Sequence, residues 1–150
     1  MSNILMGRNR PAEILLIEDN RGDVLLTRKA FQSARIENHL SVAGSGEAGL
    51  EVLRDEGQVL PDLILLDLNL PRMNGREVLN AIKADARLRH IPVIILSSSA
   101  AEQDIARSYA LHASAYIVKP LDLDSFRAAI STIEQFFFFL VELPEHAPVE

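Results

Sequence analysis

Glu18-Asp19, Asp67, Ser97 and Lys119-Pro120 share one property: each follows directly on a short apolar run. The runs are Glu13–Ile17, Leu63–Leu66, Ile91–Leu96 and the weaker Ser114–Val118. If the runs are adjacent strands, three acids converge at one edge of a sheet and repel one another in a partly dry pocket. A divalent hard cation relieves that repulsion. Mg²⁺ takes oxygen ligands in octahedral geometry and keeps several waters, so one or two carboxylates and a main-chain carbonyl suffice. Asp19 and Asp67 can supply the carboxylates and the backbone carbonyl of Asn69 the third ligand, while Lys119 adds a fixed positive charge and Ser97 a hydroxyl donor. Such a pocket is equipped to receive anionic oxygens on one carboxylate, which is phosphoryl transfer to Asp67. Aspartate is a competent covalent carrier of phosphate, and positioning with electrostatic stabilisation supplies most of that catalysis.

Taken singly, each group has a plainer reading. Glu18-Asp19-Asn20 could be a helix N-cap with a solvated neighbour. Lys119-Pro120 could be a turn, with Pro120 a candidate for the uncommon cis form. The conjunction carries the chemical reading, because acid pair, acid, hydroxyl and lysine fall in order at successive strand ends.

The elements that must position these groups alternate in period. Continuous apolar runs mark strands covered on both faces, with His39–Ala43 a weaker strand. Between them lie helix-period segments at Asp23–Ser33, Gly46–Arg54, Gly75–Ala86, Ala101–Leu111 and Asp122 to about Phe139. In the last, Leu123, Phe126, Ile130, Ile133 and Phe137 recur at spacings of 3, 4, 3 and 4, one helix face, and Asp122 is placed to cap it. Five strands alternating with five helices predict an α/β fold, an open parallel sheet with helices on both faces and right-handed crossovers. Ligands of such sheets bind at the carboxyl ends of the strands.

Composition narrows the function classes. The chain has 150 residues, 15 basic against 21 acidic, for a net charge of −6. That length removes roughly 68–70% of the unfolded surface from water without staples. The absence of cysteine excludes disulfides, a thiol nucleophile and thiolate metal sites, and fits a reducing compartment. The acidic balance argues against nucleic acid as the main partner. Residues 1–11 read as a flexible leader without a secretory h-region, 12–140 as one domain and 141–150 as a tail. No apolar tract approaches the ~20 residues that cross a bilayer, so a cytoplasmic location is expected, and no residues are left over for a second domain. His39, His90, His112 and His146 match no ligand spacing and are expected at the surface, and Arg21, Arg28, Lys29 and Arg35, taken as part of the first helix, read as a solvated face rather than a nucleic-acid site.

Four segments carry a family resemblance: I-L-L-I-E-D-N at 14–20, P-D-L-I-L-L-D-L-N-L-P-R-M-N-G at 61–75, I-P-V-I-I-L-S-S-S at 91–99 and Y-I-V-K-P at 116–120. Together they resemble the receiver domain of two-component response regulators over about residues 12–138. The resemblance implies a flavodoxin-like receiver fold with strand order 2-1-3-4-5 and Asp67 as phosphoacceptor. It also implies that Glu18 and Asp19 hold Mg²⁺, that Ser97 and Lys119 grip the phosphoryl group, and that a histidine kinase donates it. Such a protein is not an enzyme in its own right and assists only its own phosphorylation and dephosphorylation. Ser97 stands where the family more often has Thr. The resemblance further implies a switch in which Ser97 is drawn toward the phosphate and Tyr116 rotates inward, a bistable element biased by a local charge. Tyr116 as ordinary strand packing is the alternative. A closer likeness, to free-standing receivers paired with phytochromes, rests on Asp67-Leu-Asn-Leu-Pro, Asn74-Gly-Arg-Glu-Val-Leu, Ser108-Tyr-Ala-Leu-His-Ala-Ser and Ile133-Glu-Gln-Phe closing toward Leu143-Pro144, and implies a light-regulated kinase.

Two other readings share the architecture. A Mg²⁺-dependent aspartyl-phosphate hydrolase of haloacid dehalogenase type wants a second Asp two residues after the nucleophile, where this chain has Asn69. A flavin-binding domain wants hydroxyl and Gly residues where Glu18-Asp19 would repel the phosphate.

Phe136 to Phe139 pose a separate problem. Successive helical residues turn by about 100°, so four phenylalanines cannot all face one sheet. Phe137 continues the inward stripe with Phe136 beside it. Phe138 extends the line of Arg127, Ser131 and Glu134, and Phe139 that of Ala128, Thr132 and Gln135, lines expected to face water. An apolar patch of that kind marks an interface, here a homodimer through the last helix and Phe136, Phe138, Phe139 and Leu140. The alternative is a helix ending near Gln135 with the tail folded back over its own core.

Overall fold

In the structure, a computed structural model, residues 11–97, 115–119 and 122–146 are described, and the side chains of 97, 115, 116 and 136–146 lie outside that description. Five strands, β1 (Ala12–Ile17), β2 (Asn38–Ala43), β3 (Leu63–Asp67), β4 (Val93–Ser97) and β5 (Ala115–Val118), form one parallel sheet in the order β2-β1-β3-β4-β5. The sequence reading of the fold and its strand order is met. Four helices are described, α1 (Arg21–Gln32), α2 (Gly46–Arg54), α3 (Gly75–Ala84) and α4 (Leu123–His146). The expected fifth helix, at 101–111, lies outside the described residues.

The sheet separates two cores, and alternation along each strand assigns every side chain to one of them. Leu15 and Ile17, Ile64 and Leu66, and Val93 and Ile95 point to one face, joined there by Leu50 and Leu53 of α2 and Val78, Leu79 and Ile82 of α3. Ala12, Ile14 and Leu16, Leu63 and Leu65, and Ile94 and Leu96 point to the other, against Ala30 and Phe31 of α1 and Phe126, Ile130 and Ile133 of α4. Burial on both faces explains why β1, β3 and β4 read as unbroken apolar runs. β2 and β5 are the edges, and their weaker signal follows: Ser41 and Val42 are exposed, and so is Val118.

Local chemistry sets the helix ends. Asn20, Ser45 and Asn74 are the N-caps of α1, α2 and α3, each accepting from a first-turn backbone N–H. Asn74 and Glu77 complete a reciprocal capping box at 3.0 and 2.9 Å. Asp122 caps α4 through the Ser125 N–H at 2.7 Å, as its position implies.

Three expectations are revised. α4 does not stop near Phe139 or Gln135 but continues as backbone helix to His146, through the segment read as a separate tail. Arg35 falls in the turn after α1 rather than on the helix. Glu134 does not face water: it is 7% exposed and accepts a 2.6 Å hydrogen bond from the Ile36 N–H. Arg127 and Ser131 on the same line are exposed, but at Glu134 the α1–β2 turn comes over the helix and covers it. The neighbouring line, Ala128, Thr132 and Gln135, is exposed throughout.

Candidate functional site

The first strand delivers Glu18 to the sheet edge with its backbone still in register, its N–H donating to the Ala43 carbonyl at 3.0 Å. Asp67 is the last residue of β3, paired with Leu96, and Leu68 keeps the chain bound to β4 for one residue more. Chain geometry thus fixes both carboxylates before any side-chain contact is counted. Glu18 is 1% exposed and Asp67 2%, while Asp19 is open to solvent. One carboxylate oxygen from each of the three lies within 4.8 Å of the others. Of the two readings left open for the Glu18-Asp19-Asn20 segment, Asn20 alone performs the capping, which leaves the acid pair to the pocket.

Lys119 enters from the end of β5. Its Nζ lies 3.0 Å from Glu18 Oε1, 2.8 Å from Asp23 Oδ2 and 3.4 Å from Asp67 Oδ1. The second Asp67 contact is local, since Oδ1 accepts from the Asn69 N–H at 3.1 Å. Asn69 is exposed at the pocket mouth. Glu18 Oε2 likewise accepts from the Asn20 N–H at 3.1 Å, but Oε1 is buried without a hydrogen bond among the described residues.

The electrostatics follow from that crowding. Burial, then the Asp67 charge, then a hydrogen bond with Asp67 raise the Glu18 carboxyl to about 7, against the partial relief that Lys119 gives. Burial works against the Lys119 ammonium. The hydrogen bond to Asp23 and the charges of Asp67 and Glu18 outweigh it and hold the group above the usual lysine range. Among the described residues the Lys119 ammonium therefore lies against three acids with Asp19 beside them, and Glu18 Oε1, 3.0 Å from that ammonium, is buried without a hydrogen bond. Oxygen ligands, excess negative charge and an unfilled lone pair are what a divalent cation requires, so the residues present fit one.

Two residues of this neighbourhood escaped the sequence reading. Asp23 by its sequence position is an ordinary first-turn acid, the kind that favours a helix N-terminus for dipole reasons alone. Its spacing of four from Asp19 places it one helical turn beyond the acid pair, and that was the available signal. Gly75 begins α3 so close to β3 that a Cβ there would meet the Asp67 carbonyl oxygen and lie 2.6 Å from Leu68 Cα. Of the remaining expected site residues, Ser97 ends β4 and Tyr116 lies within β5. Their side chains, those of Phe136, Phe138, Phe139 and Leu140, and Pro120 lie outside the described residues. His39 is exposed and pairs with Glu13 at 2.9 Å, and His90 is exposed. No helix among the described residues is long and apolar enough to cross a membrane.

Comparison with known proteins agrees with this geometry. Response regulator Rcp1 of Synechocystis is 38% identical over 140 residues, covering 91% of this chain and 95% of that protein. The Mn²⁺-bound structure of Rcp1 superposes with a TM-score of 0.75 at 37% identity, covering 85% of this chain and 95% of that one. The phosphorylated cyanobacterial phytochrome response regulator RcpA gives 0.76 at 40% identity, covering 85% and 94%. A probable methanogenesis regulatory protein, FilR2 of Methanothrix harundinacea, is 36% identical over 130 residues, covering 85% of this chain and 84% of that protein. The hydrolase alternative finds no support among them. Residues 14–131 match the response regulator receiver domain, and with the strand order, the strand-end acids and these relatives in agreement, the chain belongs to the response regulator receiver family of signalling proteins.

Proposed function

We propose that the protein accepts a phosphoryl group on Asp67 from a histidine kinase and signals through phosphorylation-dependent protein contacts or relay. One observation carries this reading. A buried carboxylate at the end of the central strand stands 3.4 Å from a half-buried lysine and within metal-sharing distance of two further acids. In the transfer, an Asp67 carboxylate oxygen attacks phosphorus, an acyl phosphate bond forms, and the P–N bond to the donor histidine breaks. Lys119 lies where it balances charge on the phosphoryl oxygens. Glu18, Asp19, Asp67 and the Asn69 carbonyl are the groups that would hold Mg²⁺, which when bound supplies positive charge to those oxygens. Ser97, the last residue of β4 and next in sequence to Leu96, the register partner of Asp67, is the residue to which we assign the hydroxyl donor, and Tyr116 of β5 is the aromatic of the switch.

The likeness to Rcp1 and RcpA supports a phytochrome-type kinase as donor, and we place the protein in the cytoplasm with it. A homodimer through α4 is also proposed. The helix is continuous through Phe136–Phe139, and the line that Phe139 extends is exposed at Ala128, Thr132 and Gln135. The burial of Glu134 shifts weight from Phe138 to Phe139. Sedimentation of Phe138→Glu/Phe139→Glu beside the parent tests this, and a parent already monomeric at tens of micromolar refutes it. For the central reading, acetyl phosphate and Mg²⁺ should add one phosphoryl group by mass spectrometry, absent in Asp67→Asn. Uptake that persists in Asp67→Asn overturns it.

A further inference from the structure

Lys119 is expected to serve the phosphoryl group, yet its shortest contact is with neither Asp67 nor Glu18. The 2.8 Å hydrogen bond to Asp23 Oδ2 is well formed, whereas Asp67 Oδ1 stands off at 3.4 Å and Glu18 Oε1 receives the charge without a hydrogen bond. Asp23 is itself held firmly. Its N–H donates to the capping Asn20 Oδ1 at 2.9 Å, its carbonyl accepts from the buried Thr27 hydroxyl at 2.7 Å, and α1 packs against α4. Beneath the ammonium, Leu26, Thr27, Leu96 and Phe126 close a cavity of about 10 Å³, water-sized and mostly apolar. Lys119, 15% exposed, has three donor hydrogens and three carboxylates within 3.4 Å of its nitrogen.

We infer that Asp23 is a positioning residue that docks the Lys119 ammonium on the α1 side of the pocket, away from Asp67, so that a phosphoryl group on Asp67 competes with Asp23 for it. The inference rests on the phosphoacceptor role proposed for Asp67. In the unphosphorylated protein the docking holds the ammonium nearer Asp23 than Asp67, at 2.8 against 3.4 Å, and so lessens the charge pairing at the nucleophilic oxygen. Once the phosphoryl group is present, the same contact draws ammonium charge away from it. Asp23 therefore weakens the grip on phosphate while sparing the nucleophile, and it links the occupancy of the site to the first turn of α1.

Charge bookkeeping gives opposite signs for two ligands. Replacing Asp23 by Asn keeps the shape and removes one negative charge and most of the hold on Lys119. An anion at Asp67 then binds more tightly, and a bare divalent cation more weakly, since the pocket is less negative and the ammonium is free to approach Asp67. A charge-assisted hydrogen bond in a half-exposed setting corresponds to roughly three- to tenfold in each constant.

The test uses beryllium fluoride, a tetrahedral phosphoryl mimic, titrated into the full chain with saturating Mg²⁺, and Mg²⁺ alone titrated separately. For Asp23→Asn the expected result is a beryllofluoride Kd lowered about three- to tenfold, slower loss of phosphoryl from acetyl phosphate-labelled protein, and a raised Mg²⁺ Kd. Asp23→Glu, which restores the charge, should return both constants toward the parent. Weaker binding of both ligands in Asp23→Asn, or equal effects of Asn and Glu, would mean a packing role and overturns the inference. If the parent fails to bind beryllofluoride, or Asp67→Asn binds it equally, the phosphoacceptor reading falls and this inference with it. If the parent binds, Asp67→Asn does not, and the Asp23 variants match the parent, this inference alone is wrong.

Discussion

Gly75→Ala sets two effects of opposite sign against each other. Alanine is favoured over glycine in a helix by at most about 1 kcal/mol, so an exposed first-turn position would gain stability. At Gly75 the added Cβ would meet the Asp67 carbonyl oxygen and stand 2.6 Å from Leu68 Cα, where ordinary contact begins at 3.4 Å. The atoms met are backbone on β3, so no side chain can rotate away, and the start of α3 must retreat by nearly 1 Å. That retreat lengthens the 3.1 Å bond from the Gly75 N–H to the Leu68 carbonyl, worth about 1 kcal/mol. Overpacking adds about 1–3 kcal/mol. The net expectation is a loss of about 1–3 kcal/mol, and at about 2–4 °C per kcal/mol for a domain of this size Tm falls by roughly 3–10 °C. Because the displaced strand segment carries Asp67, labelling by acetyl phosphate should slow as well. Two controls separate the effects. Gly44→Ala has nothing within 4 Å of its Cβ and should leave both readouts near the parent. Gly49→Ala meets the Ile17 side chain, with Cδ1 at 2.5 Å, and should lower Tm without slowing the labelling. A Gly75→Ala protein as stable as the parent refutes the steric reasoning. Equal slowing in Gly49→Ala at matched stability refutes the link to Asp67.

Other perturbations probe separate parts. Glu134→Ala leaves the buried Ile36 N–H without its acceptor and should cost about 1.5–3 kcal/mol by urea denaturation; a change below 0.5 kcal/mol, on the order of an ordinary surface substitution, would show that water replaces the carboxylate. Asn74→Ala breaks the capping box of α3 and should cost about 1 kcal/mol, read from the same denaturation curves. Glu18, at about 7 in the folded protein against 4.5 for its ordinary value, binds more protons folded than unfolded between those limits. Its contribution to metal-free stability therefore falls as pH rises from about 4.5 through 7. Thermal melts in chelator should show Glu18→Gln gaining on the parent at pH 8 relative to pH 5. Added Mg²⁺, which competes with that proton, should raise the parent's Tm more at pH 8 than at pH 6, and equal stabilisation at both would count against Glu18 as a ligand.

The sequence determined the sheet and the acids on it. Apolar runs at β1, β3 and β4 can be satisfied only by burial on both faces, and acids directly after such runs must emerge at one edge, so Glu18, Asp19 and Asp67 are legible in the sequence, with Lys119 at the end of the weaker β5 run. Edge strands β2 and β5 were faint because solvent on one side relaxes the demand for apolar residues. Tertiary structure alone decided which first-turn acid serves a helix and which serves a lysine. Asp23 looks like any helix-start aspartate until a strand 96 residues later delivers Lys119 to it. Glu134 looked like a surface residue on its helical line until the Ile36 turn, 98 residues earlier, closed over it. Helical and strand periods report what a segment requires of its surroundings. They do not report which distant segment arrives to meet the requirement, and the partners of isolated polar groups are settled there.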